Sequence, residues 1–486
     1  MALGYQDLGA QTVKNIAEPV RVLRIIPEGG ASTRATTKAT ERSVRKHWRG
    51  GVFSIAGLAV IAAAIVFVQH LSLRPPTTTA SIPPAQSPAL ALPDKPSIAV
   101  LPFTNMSGDR EQEYFSDGIT DELITALSRL PGLFVIARTS SFTYKGKAAK
   151  VQEVSRELGV KYILEGSVHK AGDQVRITAR LVDATVGADL WAQRYDRPLR
   201  DIFKLQDEIV HRIVTTLKLQ LNLREQGFLA VDKQTDNLEA FDDFLRGWGY
   251  FWSFTKEGNV KARQMFEKAI ELDPSYADAY SGLGENYLWG WVAQLNQDPN
   301  SLDRASQLAQ QAVALDDSLP NAHILLGGTY VYRRQYDQGI AELQRAIALD
   351  PNSGTGYSAL ATIMGESGRP AEAIDYAKIA LRHDPQGWTS YLFIEAWADT
   401  EMRRYAEAIP IFKLYIARFP NNPGAYTNLI VDYTELGRDQ EAQEEAAELL
   451  RVFPHFSLEA MLKRSAQKDE KYSEIFRNDC RKAGLK

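Results

Sequence analysis

The segment Ala373–Pro385, with the sequence AIDYAKIALRHDP, decides the fold of the C-terminal half because its pattern returns along the chain. Its small residues and its proline stand at Ala373, Ala377, Ala380 and Pro385. The same offsets recur at Ala262, Phe266, Ala269 and Pro274, and again at Ala442, Ala446, Leu449 and Pro454. The turn prolines Pro351, Pro385, Pro420 and Pro454 lie 34 or 35 residues apart. A period of this length predicts helix–turn–helix units stacked into a solenoid.

A complementary half precedes several of these segments. It places aromatic, apolar and small residues at Tyr280, Leu283, Gly284 and Tyr287, at His323, Leu326, Gly327 and Tyr330, and at Tyr426, Leu429, Ile430 and Tyr433. Small residues let two helices approach closely, and proline ends the second helix. The pattern resembles the tetratricopeptide repeat family, with about six units between residues 241 and 456. The resemblance implies an all-α solenoid that binds a protein or peptide on its concave face.

The same resemblance implies which residues line the groove, namely positions two, five, nine and twelve of each first helix. This register gives nine candidate protein-binding residues: Asp278, Ser281, Glu285, Asn321, Ser358, Thr362, Thr389, Thr427 and Val431. Because most are small or neutral, we expect a ligand other than the chain-terminal carboxylate that chaperone-binding repeats clamp with lysine and asparagine. Trp289 and Trp291 either anchor a partner or pack between units, and packing is favoured.

Composition excludes several classes of site. The 486 residues include 56 basic and 60 acidic side chains, so no nucleic-acid partner is predicted. One cysteine and seven scattered histidines predict neither a disulfide framework nor a metal site. No phosphate-binding loop or serine-nucleophile motif is present, so no cofactor and no catalytic residue are expected. Asp117, Asp121 and Glu122 are better explained by the charge preference of a helix start than as an acid–base pair.

An apolar run of eighteen residues, 51–68, predicts a single transmembrane helix over residues 51–71. The flanking segment 29–50 is a basic linker, and the Pro/Thr-rich residues 72–96 predict an extended spacer. The charge bias predicts a bacterial inner-membrane protein with a cytoplasmic N-terminus and periplasmic C-terminal domains. A cleaved signal peptide is the rival reading, but about fifty residues precede the run. The bilayer and a second copy of the chain, forming a homodimer, are therefore candidate partners.

Residues 97–223 alternate strand and helix patterns, which predicts an α/β domain. Four segments carry a resemblance to the TolB-like N-terminal domain: Ile98–Phe103, Tyr114–Leu123, Leu164–Val168 and Leu190–Asp196. The resemblance implies a mixed sheet with helices on one side and a role in protein binding or assembly. The fold class expected for the whole chain is multidomain: one transmembrane helix, this α/β domain, and the repeat solenoid, with residues 457–486 as a C-terminal tail.

The N-terminal segment Tyr5–Ile25 resembles the last two strands of class III adenylate/guanylate cyclase domains, so residues 1–28 are interpreted as a remnant of such a domain. An unrelated exposed strand is the alternative. The metal-binding and base-recognising residues of that family lie before the matching segment, so no catalytic residue can be carried over.

Two functions of different class remain. The first is a membrane-anchored repeat protein that binds protein or peptide partners as an envelope scaffold or sensor. The second is the sensory part of a membrane-bound cyclase whose catalytic core is absent from this chain. A third hypothesis is a regulator with another kind of cytoplasmic domain. The cyclase-like segment favours the cyclase hypothesis over this third one.

Overall fold

The computed structural model describes residues 90–217, 235–293, 295–296 and 298–486, apart from the side chains of residues 388–390, and the strands formed by residues 3–11 and 20–27. The chain divides into two units, residues 1–84 and 85–486, and each is described by itself. In the first unit, strands β1 (Leu3–Gln11) and β2 (Val20–Pro27) form an antiparallel pair with a register shift between Asp7 and Ala10. The cyclase resemblance of this segment stays a prediction.

The second unit begins with a mixed sheet. Its strands are β3 (Ser97–Val100), β4 (Thr104–Asn105), β5 (Phe134–Val135), β6 (Tyr162–Ala171), β7 (Gln174–Asp183) and β8 (Ala188–Pro198). The order is β5-β3-β6-β7-β8, with β4 beside β6. Strand β3 is parallel to β5 and β6, whereas β6, β7 and β8 are antiparallel. Gly172 turns the chain between β6 and β7 at a φ of 59°, where a left-handed backbone favours glycine.

Helices cover both faces of this sheet. They are α1 (Glu113–Ser128), α2 (Arg138–Phe142), α3 (Val151–Leu158) and α4 (Ile202–Thr216). Helices α1 and α4 pack on the face that presents Ile98, Val100 and Leu164. Helix α3 packs on the opposite face, against Ala99 and Ile163. The expectation of helices on one side only is therefore wrong, because β3 is apolar on both faces and its second face needs a cover.

Six successive helix–turn–helix pairs follow in the described residues. The pairs are α5 (Leu238–Phe251) with α6 (Lys256–Leu272), α7 (Ala277–Val292) with α8 (Ser301–Leu315), α9 (Pro320–Tyr332) with α10 (Tyr336–Leu349), α11 (Gly354–Glu366) with α12 (Pro370–His383), α13 (Trp388–Glu401) with α14 (Tyr405–Arg418), and α15 (Pro423–Glu435) with α16 (Asp439–Val452). Two further helices, α17 (Leu458–Arg464) and α18 (Glu470–Lys482), complete the chain. Proline at the first helical position and side-chain caps such as Ser353 start several of these helices.

The turn inside a repeat uses one left-handed residue in most of the pairs. The residues with positive φ at this point are Phe254 (50°), Arg334 (58°), Gly368 (82°), Arg403 (60°) and Gly437 (71°). Glycine adopts this conformation without strain, whereas a side chain with a Cβ adopts it at a cost of roughly 1–2 kcal/mol. Arginine at two of these positions therefore calls for a compensating contact.

The α/β region and the first repeats share one hydrophobic core, which includes Phe115 and Leu123 of α1 and Phe241 and Leu245 of α5. The approach of α1 to α5 is close, because a Cβ added to Gly118 would come within 2.5 Å of Leu245. Tyr114 donates a hydrogen bond to Asp242 (2.7 Å), and Lys170 forms an ion pair with the same carboxylate (2.8 Å). The repeats are thus packed directly onto the α/β region.

The predicted fold class is wrong in its membrane part. Among the residues that the structure describes, no helix is both long and apolar enough to cross a bilayer. The segment 51–71, on which that prediction was made, lies outside the described residues, as do the linker 29–50 and most of the spacer 72–96. The supported class is an all-helical solenoid in the C-terminal part, preceded by the α/β region. The predicted sidedness, domain boundaries and homodimer stay predictions.

Candidate peptide-binding groove

Helix α11, in the fourth pair, carries a partly exposed part of the predicted inner surface. The less buried residues of this helix recur at helical spacing, with Thr355 exposed and Ser358, Thr362 and Glu366 half-buried. The hydroxyl of Thr362 donates to the carbonyl oxygen of Ser358 on the same helix (3.0 Å). Two of the nine predicted groove residues therefore lie on a partly accessible stripe, in which Thr355, Ser358 and Thr362 are small and neutral and Glu366 forms the C-terminal end.

The predicted groove residues of the second pair are covered by the α/β region. Asp278 and Ser281 on α7 are 7% and 1% exposed. Burial, with the negative charges of Asp278 and Asp121 nearby, raises the pKa of Glu285 to about 8. Burial also raises the pKa of Asp278 to about 7. Burial, together with the negative charge of Asp278, raises the pKa of Glu122 on α1 to about 8. Helix α1 thus faces this part of the inner surface, and its carboxylates share a low-dielectric space with those of α7.

The predicted groove residues of the sixth pair are covered by the C-terminal segment. Thr427 and Val431 on α15 are 0% and 1% exposed. The Thr427 hydroxyl lies 3.9 Å from the sulfur of Met461 on α17, and Cys480 on α18 donates weakly to the Thr427 carbonyl at the same distance. A small cavity of about 60 Å³ lies between Val431 and Tyr472.

The remaining predicted residues fall elsewhere. Asn321, at the start of α9, is exposed, and Thr389 lies on α13 with its side chain outside the described residues. Trp289 is 50% exposed, whereas the ring of Trp291 packs edge-on against Tyr332 of the next repeat, with centroids 5.3 Å apart. Trp291 therefore has the packing role that the sequence favoured.

The α/β region contacts the repeats through the turns that join one pair to the next. Ahead of α11, Asn352 bonds to the backbone of Val135 and Ser128. Ahead of α13, Asp384 accepts a short hydrogen bond from the hydroxyl of Ser140, and the ring of His383 stacks on Phe134 with centroids 4.5 Å apart. Burial lowers the pKa of His383 to about 4, so its imidazole is neutral at pH 7. These turns are contact sites as well as connections.

The acidic residues of α1 have structural partners. Asp117 forms an ion pair with Lys145 (2.6 Å), and Asp121 with Arg138 (3.4 Å). The helix begins at Glu113, so these carboxylates lie in later turns and the helix-start explanation does not apply to them. No group of three potential metal ligands occurs in the described part of the chain.

Residues that the sequence reasoning missed line the C-terminal edge of the inner surface: Arg334, Tyr336, Glu366 and Glu401. Each lies where a first helix ends or the next begins, outside the four positions used for the prediction. One signal could have identified this edge. Arg334 and Arg403 occupy the place that Gly368 and Gly437 occupy in neighbouring repeats, and a large cationic residue where glycine is favoured points to a contact.

Comparison with known proteins supports the repeat prediction. A tetratricopeptide repeat family model matches residues 324–387 and 359–423. Residues 94–212 match the model described as the second domain of HilA/YgeH-like transcriptional regulators. The C-terminal half therefore contains tetratricopeptide repeats, as predicted. The TolB-like assignment of the α/β region is not confirmed, and the model that matches there is a different one.

One curated relative, from Rhizobium meliloti (strain 1021), bears the name of an adenylate cyclase and is 46% identical over 233 residues. The match covers 48% of this chain and 39% of that protein, so the chain spans about two fifths of the relative's length. The match shows a segment of sequence shared with a protein that is named as an adenylate cyclase. It does not show a catalytic domain in the described part of this chain.

Among solved structures, PilF of Pseudomonas aeruginosa is 20% identical over 45% of this chain and 94% of its own, with a TM-score of 0.34. YrrB, a repeat protein with an unusual peptide-binding site, is 23% identical over 39% of this chain and 93% of its own, with a TM-score of 0.28. Neither likeness indicates a function for this chain.

Proposed function

We propose that the chain is a protein-interaction module in which the inner surface of the repeats binds a protein or peptide partner, as a scaffold or sensor. The observation that carries this proposal is that the inner surface already receives polypeptide in cis. The carboxylates of α1 lie near Asp278, and the C-terminal segment contacts Thr427 and lies across a small cavity from Val431. Between them the stripe on α11 remains accessible.

The chemistry of the open stripe suits a polypeptide. Ser358 and Thr362 offer hydroxyl groups of small volume, which can donate to and accept from a peptide backbone without selecting a charge. Glu366 forms the C-terminal end of the stripe, and Arg334, which follows α9, lies near it. A bound segment would thus meet neutral side chains at its centre and opposite charges at one edge.

Site-specific crosslinking tests this proposal. A photoreactive amino acid in place of Thr362 should capture a defined partner protein in the cells that produce the chain, whereas the same amino acid in place of Ile379 should not. Ile379 is 40% exposed on α12, so it controls for accessibility on a second helix of the same repeat. Equal labelling from both positions, or none from Thr362, would count against the inner surface as the binding site.

A second candidate function is regulation of a nucleotide cyclase, supported by the name of the Rhizobium meliloti relative and its 46% identity. In this proposal the repeats sense a ligand and a catalytic domain elsewhere makes cyclic nucleotide. We expect the purified chain to form no cyclic AMP from ATP. We also expect the relative to keep its activity when its matching region is replaced by the corresponding region of this chain, and an inactive but folded hybrid would argue against this function.

A further inference from the structure

A short extended segment, Ser465–Asp469, joins α17 to α18 and crosses the C-terminal edge of the inner surface. We refer to it as the strap. Its two ends are extended, with φ and ψ of −62° and 134° at Ser465 and of −75° and 99° at Asp469. It forms no helix or strand of its own. The N–H groups of Gln467 and Asp469 donate to side chains within the strap, and other backbone groups of the strap bond to the repeats.

Two successive repeats, the third and the fourth, supply those partners. Arg334, after α9, donates to the carbonyl oxygen of Ser465 (3.1 Å). The hydroxyl of Tyr336, at the start of α10, donates to the carbonyl oxygen of Ala466 (2.6 Å). The backbone N–H of Lys468 donates to the carbonyl oxygen of Glu366, at the end of α11 (2.8 Å). Because all three bonds use the strap's main chain, they would hold any extended peptide in the same way.

The side chains of the strap add selectivity. Ala466 is 1% exposed and belongs to the core cluster that contains Val331 and Met364, so there is room for a small residue only. Gln467 is 6% exposed, and its amide forms a short hydrogen bond to Glu401 on α13. Lys468 is exposed, with its ammonium 5.6 Å from the centre of the Tyr336 ring. The pattern is a small apolar residue, an amide and a cation.

The conformation of Arg334 supports a dedicated binding role for this edge. Its φ of 58° falls where neighbouring repeats have Gly368 and Gly437. A non-glycine residue in this region is strained and persists where other contacts hold it. The bond from Arg334 to Ser465 is such a contact.

The electrostatics of the edge also favour a ligand that brings donors or positive charge. Glu366 and Glu401 face each other beneath the strap, and one carboxylate oxygen of Glu366 is buried without a hydrogen-bond partner in the described residues. Burial raises the pKa of Glu366 to about 7 and that of Glu401 to about 8. The polar and charged groups that act on them include Arg334, Gln467 and Asp469. The hydroxyls of Tyr332, Tyr336 and Tyr472 also lie near these carboxylates.

We propose that the strap is an internal ligand that occupies a peptide-binding site formed by Arg334, Tyr336, Glu366 and Glu401, and that an extended segment of a partner protein displaces it. The inference rests on the proposed function and names the chemistry of the partner: a small apolar residue followed by an amide and a basic residue. Tethering holds the strap at an effective concentration of roughly millimolar, so the site is masked in the unmodified chain.

The test uses the full chain and a fluorescent peptide with the sequence of residues 463–472, KRSAQKDEKY. The variant Ala466→Asp places a carboxylate in the apolar cluster that contains Val331 and Met364 and should expel the strap. We expect the peptide to bind this variant at least tenfold more tightly than the unmodified chain, measured by fluorescence anisotropy. Ala460→Asp is the matched control, because Ala460 is exposed on α17, and it should bind no better than the unmodified chain.

Two further arms make the result specific. A peptide carrying the same Ala466→Asp change should bind neither chain, and Arg334→Gly in the opened variant should weaken binding about tenfold. Equal binding to all chains, or no binding to an Ala466→Asp chain that circular dichroism shows to be folded, would overturn the proposal.

Hydrogen exchange of the unmodified chain covers the case in which Ala466→Asp fails to fold. The amide of Lys468 should exchange faster than that of Met364 in α11, because a displaceable strap opens without global unfolding. Exchange of both at the same slow rate would overturn the inference. Failure of the proposed function can be distinguished from failure of the strap proposal. The former appears as the absence of crosslinking from Thr362, whether or not the strap can be displaced.

Discussion

The side chain of Asn352, in the turn between the third and fourth repeats, completes the hydrogen bonding of the strand residue Val135. Its amide oxygen accepts from the Val135 N–H (3.3 Å), and its amide nitrogen donates to the Ser128 carbonyl (2.6 Å). One buried side chain thus ties the edge of the sheet and the end of α1 to the repeats. The repeats hold the α/β region through its backbone, as they hold the strap.

Replacing Asn352 by alanine should destabilise the chain. The change leaves a buried N–H and a buried carbonyl without partners, which costs about 1–3 kcal/mol for such groups. Chemical denaturation measures the loss. Asn321→Ala is the control, because Asn321 is exposed, and it should change the free energy of unfolding by less than about 0.5 kcal/mol. Equal effects of the two substitutions would show that the Asn352 contacts do not stabilise the fold.

Acid should weaken the contact made by His383. Burial holds its pKa at about 4, below the ordinary 6.5, so the unfolded chain takes up a proton first as pH falls. The contribution of this residue to stability is therefore complete above pH 6.5 and is lost between pH 6.5 and 4. His383→Phe keeps an aromatic ring against Phe134 and should lose less melting temperature than the unmodified chain between pH 7 and 5. His455→Phe, at an exposed position, should lose as much melting temperature between pH 7 and 5 as the unmodified chain. The same loss in His383→Phe would contradict the prediction.

Alkaline conditions should weaken the edge beneath the strap. The pKa of Glu401 is raised from 4.5 to about 8 by burial and by the charge of Glu366, so the folded chain retains a proton that the unfolded chain releases. Its contribution to the free energy of unfolding falls as pH rises from 4.5 to 8. Glu401→Gln stays neutral and can still accept from Gln467. We expect it to be more stable than the unmodified chain at pH 8, by about 1–3 kcal/mol, and similar at pH 5.

The control for that experiment is Glu474→Gln on the exposed surface of α18, which should follow the unmodified chain at both pH values. A Glu401→Gln chain whose stability keeps the original pH dependence would contradict the assignment of a buried, protonated carboxyl.

The two left-handed arginines should respond differently to glycine. Arg403→Gly relieves backbone strain and should raise the free energy of unfolding by about 0.5–1 kcal/mol. This value is net of the entropic cost of glycine, which gives the unfolded chain more conformational freedom. Arg334→Gly relieves the same strain but removes the bond to Ser465, so its gain should be smaller or negative. Denaturation midpoints compare the two directly, and an equal gain at both positions would show that Arg334 does not hold the strap.

The repeats could be predicted from sequence because their determinants are local and periodic. Close packing of two helices needs small residues at fixed offsets, and Ala373, Ala377 and Ala380 are 0%, 3% and 0% exposed in the structure. Ser358 and Thr362 are among the less buried residues of α11, and their place in a binding groove stays a prediction. The segments that cover the rest of that surface could not be predicted from the repeat pattern.

The coverings depend on contacts between residues far apart in the chain. Tyr336 and Ala466 are separated by 130 residues, and Asn352 and Val135 by 217. Neither the strap nor the sheet edge has a periodic pattern that marks its partner. The second face of the sheet was missed for a related reason, since an apolar run such as Ile98–Val100 indicates burial but not which helix provides it.

The most direct test of the central claim uses the partner captured at Thr362. This partner is purified, and its affinity is measured for the full chain and for two variants. Thr362→Arg places a long charged side chain on the inner surface, and Ile379→Arg places the same side chain on α12 of the same repeat. The inner-surface model predicts at least tenfold weaker binding to Thr362→Arg and unchanged binding to Ile379→Arg. Equal affinities for the two variants and the unmodified chain would contradict it.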